Sequence, residues 1–249
     1  MIQAPIALPL LLLFLLAVGV FIVIVEIRAL AYAYRVIGIS PRYVSLVLLL
    51  TLLGSYINLP LYKVPVPRVL SPQIIERFGR AYVVPPQIEP GVTIVAINVG
   101  GALIPILVSI YLFLRTRERW RMLLAIAVVA LVVHSLAQVV PGAGIAVPML
   151  IPPLTAAGVA LVLAFRQAPA VAYVAGSLGA LIGADIWNLP RVTELGAPVV
   201  AIGGAGTFDG VFLTGILAGL LAAWIAPAPR QRALVGPEAG YGGRDDRVA

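Results

Sequence analysis

Residues 5–25 read PIALPLLLLFLLAVGVFIVIV, a stretch with no charged side chain. The hydrocarbon core of a bilayer is about 30 Å thick, and about 20 apolar helical residues cross it. This run meets that requirement and stays apolar to about residue 36, with Glu26 and Arg28 near its far end. No Lys or Arg precedes it and no small-residue cleavage site follows, so it reads as a retained helix rather than a signal peptide. The rest of the 249-residue chain is similar: 61% hydrophobic, 11% charged, with a mean hydropathy of +1.07. Soluble domains are about 45–50% apolar and about 25% charged. The polar surface a soluble fold needs is missing. The expected fold class is therefore all-α, a polytopic membrane helical bundle.

Six further apolar runs follow, at about 43–57, 92–114, 121–140, 148–165, 171–187 and 197–225. Seven transmembrane helices are the best count. Residues 1–225 would form the transmembrane domain, and residues 226–249 a polar cytoplasmic tail expected to be disordered. The arginines test the count. With seven spans, one face receives Arg35, Arg42, Arg115, Arg117, Arg119, Arg121, Arg166, Arg230, Arg232, Arg244 and Arg247. The other receives Lys63, Arg68, Arg77, Arg80 and Arg191. Positive-inside bias then places the N-terminus outside and the C-terminus in the cytoplasm of a multi-pass cell-membrane protein. A pI near 10.1 thus reads as topology, and no nucleic-acid partner is expected.

Composition removes several chemistries. There is no cysteine, which excludes disulfides, thiolate metal sites and a Cys nucleophile. A single His rules out a multi-His metal centre in one chain. No metal and no cofactor are expected. Seven helices invite a retinal-protein reading, but the Schiff base needs an intramembrane lysine. The one lysine, Lys63, lies in a loop.

The chain carries a weak internal duplication. Ser55-Tyr56-Ile57-Asn58-Leu59-Pro60 resembles Asp185-Ile186-Trp187-Asn188-Leu189-Pro190. Each is followed by Val-Ala-Ile and a double glycine, at Val95-Ala96-Ile97 with Gly100-Gly101 and at Val200-Ala201-Ile202 with Gly203-Gly204. This suggests two parallel three-helix repeats, about 5–114 and 148–225, joined by helix 4. In the first, the loop 59–91 is long and proline-rich. Ser71-Pro72 reads there as an N-cap and first helical position, opening a short surface helix with Ile74, Ile75 and Phe78 apolar.

Ionisable groups inside a membrane are costly and point to function. Glu26 and Arg28 lie near a helix end, where charges can snorkel. Asp185 and Asp209 are different. Asp185 lies a few residues below the outer end of helix 6. Asp209 follows Gly203, Gly204, Gly206 and precedes Gly210, a stretch whose backbone is expected to break, since irregular backbone at membrane depth must line protein or a wet cavity. Asn58, Asn98, His134, Gln138, Asn188 and Thr207 share the same outer level, and the inner half is nearly free of such groups. An outward-opening polar pocket follows. For each amide or hydroxyl alone, bonding to a neighbouring helix explains it as well. Small residues at four-residue spacing, Gly179/Gly183 in helix 6 and Gly206/Gly210 and Gly215/Gly219 in helix 7, allow close packing. Asp185 lies about 200° around a helix from Gly183. If helices 6 and 7 met through that stripe, Asp185 would point away from Asp209.

The Gly203–Gly210 motif, the upstream Gly-Ala-Asp and the Asn-Leu-Pro helix ends resemble a domain-of-unknown-function family of archaeal and bacterial multi-pass membrane proteins. The likeness is strongest over 181–220 and implies no activity. A weaker resemblance is to the GxGD-type intramembrane aspartyl proteases, which place one Asp on each of two nearby helices. There the carboxylates share a proton and activate water. Phe208, not Gly, precedes Asp209, and the Pro-Ala-Leu motif of presenilin-like members is absent.

These readings leave three functions: an aspartate-dependent intramembrane hydrolase with Asp185 and Asp209 as its acid/base pair, the first expectation; a cation- or proton-coupled small-solute transporter using the same aspartates; and a membrane scaffold. The partners implied are the lipid bilayer and a membrane-embedded substrate or small solute, and a homo-oligomer stays open. High Arg and Pro content with no Cys suits a prokaryotic source.

Overall fold

The computed structural model describes residues 7–69, 73–77, 80–84, 88–142, 144–204 and 210–226. The first helix, α1, covers Ala7–Ile37. It ends at Gly38, whose φ of +110° is open to glycine. There the Ile39 N–H reaches back to the Tyr34 carbonyl and the Gly38 N–H to that of Arg35, which satisfies the last turn. Pro41 sits in the first turn of α2, Pro41–Gly54, where its missing N–H costs nothing. Helices α3 (Ile104–Arg115), α4 (Arg119–Leu136), α5 (Ile151–Ala164), α6 (Ala168–Ala180) and α7 (Gly210–Ile225) complete the bundle.

By length and apolarity three helical runs can cross a membrane: Leu11–Ile37, Arg119–Leu136 and Ile151–Leu195. The last contains the turn Phe165–Gln167, at which α5 and α6 fold onto each other. Pro41–Gly54, Val99–Arg115 and Gly210–Ile225 are shorter apolar helices. At 1.5 Å per residue, fourteen residues of α2 reach about 21 Å, less than the hydrocarbon thickness.

The chain is not all-α. Strand β1 (Asn58–Val69) pairs antiparallel with β4 (Ile88–Asn98), and β2 (Gln73–Arg77) pairs with β3 (Arg80–Val84) between them. The surface helix expected from Ser71-Pro72 is therefore not formed. Ile74 and Ile75 are in β2, while Ser71, Pro72 and Phe78 lie outside the described residues. The prolines of β1 explain why a ribbon wins over a helix. Pro60, Pro65 and Pro67 would break helical hydrogen bonding, but an edge strand tolerates them, and β1 is an edge. The third expected span begins as strand up to Asn98, turns through one π-helical turn at Val99–Leu103, and only then becomes α3. The seventh likewise begins as β7, Val199–Ile202. A short hairpin of β5 (Gln138–Val140) and β6 (Gly144–Ala146) joins α4 to α5.

Strand β7 pairs in parallel with β4, and the register sets Val95 beside Val200, Ala96 beside Ala201 and Ile97 beside Ile202. The two Val-Ala-Ile stretches thus lie side by side at the end of the bundle where α2 and α6 finish and α3 and α7 begin. Their glycines also meet. A Cβ on Gly101 would overlap the Gly203 carbonyl oxygen, and one on Gly203 would come 2.6 Å from Ala102 N and Cβ.

Helix α6 is the axis of the bundle, with Val171–Ser177 wholly buried. Alanines of α5 (Ala156, Ala157, Ala160, Ala164) and of α7 (Ala218, Ala222) pack the same core as α6. Helix α6 presents two small-residue faces. Gly179 and Gly183 receive α4, since a Cβ there would strike Val129, Ala130 and Val133. Gly176 receives α7 at Thr214, Gly215 and Ala218. Leu11 to Val25 of α1 are exposed, as expected of lipid-facing surface.

Candidate functional site

The end of α6 is where the backbone departs from α geometry. A π-helical turn, Leu181–Asp185, is followed by 3-10 helix over Ile186–Leu195, which stops at Gly196 with φ +62°. The expected stop at Asn188-Leu189-Pro190 is thus passed through. A π turn leaves carbonyls without their usual donors. Asn188 supplies them: its Nδ2 donates to the carbonyl oxygens of Ala184 (2.9 Å) and Gly183 (3.1 Å). Both amide protons are then used, so the 3.5 Å approach of Asn188 to His134 Nδ1 is not a bond. In the tautomer protonated on Nδ1, His134 donates to the Gly183 carbonyl at 3.3 Å. The imidazole stands edge-on to the Trp187 ring, centroids 5.3 Å apart.

Asp185 closes the π turn, half-buried, and its Oδ2 accepts from the Gly203 N–H at 2.6 Å. That donor is available because Gly203 holds φ +82° at the end of β7, and Gly204 follows at φ +73°. Since Gly179 and Gly183 face α4, the far side of α6 is free to face β7 and α7. Asp185 lies on that side, so the 200° offset directs it toward helix 7's start.

There it borders a cavity of about 310 Å³. The walls come from the end of α4 (Val133), β6 and the connection after it (Ile145 to Met149), the start of α5 (Pro152), the end of α6 and its π turn (Ala180, Ala184) and the start of α7 (Gly210, Val211, Thr214). Asp185 is the one carboxylate among these described lining residues, and Thr214 the one hydroxyl. Of the residues the sequence proposed for the pocket, only Asp185 and Gly210 line it. Asp209, Thr207 and Gly206 lie outside the described residues.

Asn98 belongs to a separate cluster. It is fully buried, accepts from the Gly101 N–H on Oδ1 (2.7 Å), and donates from Nδ2 to the Ser55 carbonyl (2.8 Å) and Asn58 Oδ1 (3.0 Å). It caps the π turn that starts α3 and ties it to the end of α2. Gln138 is exposed at the start of β5. Asn98 and Asn188 therefore close backbone gaps, and none of the four amides lines the cavity. Thr214, Pro148 and Met149 do line it. Thr214 had a signal, a lone hydroxyl in Val-Phe-Leu-Thr-Gly-Ile-Leu. The two loop residues had none. Among the described residues no group of three His, Asp or Glu could hold a metal ion.

Residues 52–221 match the family described as "Protein of unknown function (DUF1614)". The chain belongs to this family. The DUF1614 match takes in the whole π turn, both double glycines and every cavity residue, while α1 precedes it. No curated protein and no solved structure matches the chain.

Proposed function

We propose that this DUF1614 chain is a multi-pass transporter whose cavity binds a cation or proton together with a small solute, with Asp185 as the binding carboxylate. The observation that carries this reading is the placement of Asp185: at a helix break, beside Gly203-Gly204 at the end of β7, on a cavity between four helices. Transporters set coupling-ion sites at such interruptions, where loose backbone groups and a carboxylate converge. The Gly203 N–H on Oδ2 holds the Asp185 carboxylate against the end of β7. A cavity near 310 Å³ is at the small end of ligand sites, suited to a small solute rather than a helical peptide.

The architecture that goes with it is seven spans with the N-terminus outside, built from two parallel units. Three contacts support the repeat: the in-register pairing of β4 with β7, the meeting of Gly101 with Gly203, and the helix ends above them. Ser55 lies over Gly100 as Asp185 lies over Gly203. On that alignment Asp185 is what the second unit has in place of a serine.

The hydrolase remains a second reading for one reason: Gly210, the residue after Asp209, lines the same cavity as Asp185. The two separate by experiment. Thermal unfolding of the detergent-solubilised protein is followed against a panel of monovalent cations, pH values and small solutes. A ligand at 100 times its Kd stabilises by about 2.7 kcal/mol. On the transport reading such a ligand stabilises the wild type and not Asp185→Asn. Equal stabilisation of both would overturn it. Loss of cleavage of a membrane substrate in both Asp185→Asn and Asp209→Asn would establish the hydrolase instead.

A further inference from the structure

Four hydroxyl oxygens among the described residues are buried and close no hydrogen bond of ordinary geometry: Tyr34 Oη on α1, Ser109 Oγ on α3, and Tyr173 Oη and Ser177 Oγ on α6. Those of Tyr34, Tyr173 and Ser177 are grouped. Tyr173 and Ser177 are one turn apart with neighbouring hydroxyls, and the Tyr34 hydroxyl faces both Tyr173 and Thr51 of α2. The two tyrosine rings are tilted by 59° with centroids 6.2 Å apart. A Cβ on Gly215 would overlap Ser177 Oγ, so the glycine leaves that oxygen its space. Gly215 adjoins Thr214, a cavity residue.

The group lies deeper in the bundle on the face of α6 that carries the cavity wall. Tyr173, Ser177, Ala180 and Ala184 recur at intervals of four, three and four, which is one face of a helix. Ala180 and Ala184 line the cavity. From Asp185 to Tyr173 is twelve residues, about 18 Å of helix at 1.5 Å per residue. That is more than half the hydrocarbon thickness of about 30 Å.

An unpartnered buried hydroxyl loses its hydration and gains nothing. Phe for Tyr and Ala for Ser would fill nearly the same space without that loss. Water joining the oxygens removes the penalty, since each hydroxyl offers one donor and two acceptor lone pairs, and internal waters bridge otherwise unsatisfied groups. We propose that Ser177, Tyr173 and Tyr34 form a hydrated hydroxyl track that carries protons between the Asp185 cavity and the inner face of the membrane, near which α1 ends. The proposal rests on the transport reading above. In each hop a proton adds to the lone pair of a hydroxyl or water oxygen, and that oxygen's own proton passes to the next. No bond is gained or lost overall, and no hydroxyl keeps a charge. At the outer end the Asp185 carboxylate holds the proton between hops.

The test uses the full chain in liposomes with an entrapped pH dye and an inside-negative potassium diffusion potential set by valinomycin. Wild-type liposomes are expected to acidify faster than empty ones. Tyr173→Phe and Ser177→Ala are each expected to slow this by about tenfold, equivalent to about 1.4 kcal/mol on the barrier. Both variants keep the packing, and an unchanged or raised unfolding temperature shows that folding is not the cause. Wild-type flux in both variants would overturn the track. If Asp185→Asn alone then blocked flux, the transport reading would stand without it. Wild-type liposomes no faster than empty ones would also overturn the track, and ligand stabilisation through Asp185 would still decide transport separately.

Discussion

Replacing Asn98 with alanine removes the group that joins β4, the π turn and the end of α2. Three hydrogen bonds disappear, to the Gly101 N–H, the Ser55 carbonyl and Asn58 Oδ1. Their costs differ. Gly101 and Ser55 are buried, so their backbone groups stay unsatisfied at about 1–3 kcal/mol each. Asn58 is exposed and recovers water, adding close to nothing. The expected loss for Asn98→Ala is therefore about 2–6 kcal/mol, a large share of the roughly 5–15 kcal/mol that holds a folded protein. With about 2–4 °C per kcal/mol for a chain of this length, the unfolding temperature should fall by roughly 4–24 °C. Thermal unfolding in detergent, followed by circular dichroism, measures it. Asn58→Ala strands only one buried Asn98 amide proton and should cost less, about 1–3 kcal/mol. Asn98→Ala unfolding within about 2 °C of wild type would refute the assignment of Asn98 as the clasp of this junction.

Asn188→Ala leaves the Ala184 carbonyl of the π turn unsatisfied, while that of Gly183 keeps His134, and should cost about 1–3 kcal/mol, read as a lower unfolding temperature; no change would mean the turn does not depend on that amide. Gly183→Ala puts a Cβ against the Ala130 carbonyl oxygen and Val133, so α4 and α6 must separate, at about 1–3 kcal/mol. Gly158→Ala on α5 meets nothing within 4 Å and should be neutral or gain up to about 1 kcal/mol; equal losses at both glycines would discredit the packing. Arg191 and Glu194 form an exposed ion pair at 3.1 Å, in which the neighbouring carboxylate raises the guanidinium pKa above its ordinary value. Exposed pairs are screened by water, so Glu194→Gln should leave the unfolding temperature where it was.

The membrane class was legible because 21 uncharged residues from Pro5 have no soluble reading. Helix–turn junctions were legible where Gly and Pro mark them, as at Gly38-Ile39-Ser40-Pro41 and Pro141-Gly142. The strands were not. Val92–Asn98 is apolar and buried on more than one side, and such a run reads the same as helix or strand by periodicity alone. What decides it is pairing with β1 and β7, contacts between residues far apart in the chain. The duplicated Val-Ala-Ile and double glycines were visible as motifs, but not that they touch. Asp185 was singled out for its depth. Its direction depended on which helix the Gly179/Gly183 face receives, and that partner is α4. Asn188 and His134 stood out as polar groups near the same level, but the carbonyls they satisfy exist only because α6 ends in a π turn, which no residue pattern announced.

The most direct test of the cavity assignment uses the absence of cysteine from the chain, which makes any single introduced thiol an unambiguous reporter. Asp185→Cys and Thr214→Cys place thiols in the cavity wall, and Gly158→Cys places one on open bundle surface. A membrane-impermeant thiol reagent is added outside intact cells that express each variant, and the extent of modification is read by mass shift. The expected result is modification of Asp185→Cys and Thr214→Cys from outside, with Gly158→Cys inert in lipid. Both cavity thiols remaining unmodified until the cells are opened would contradict an outward-facing carboxylate site.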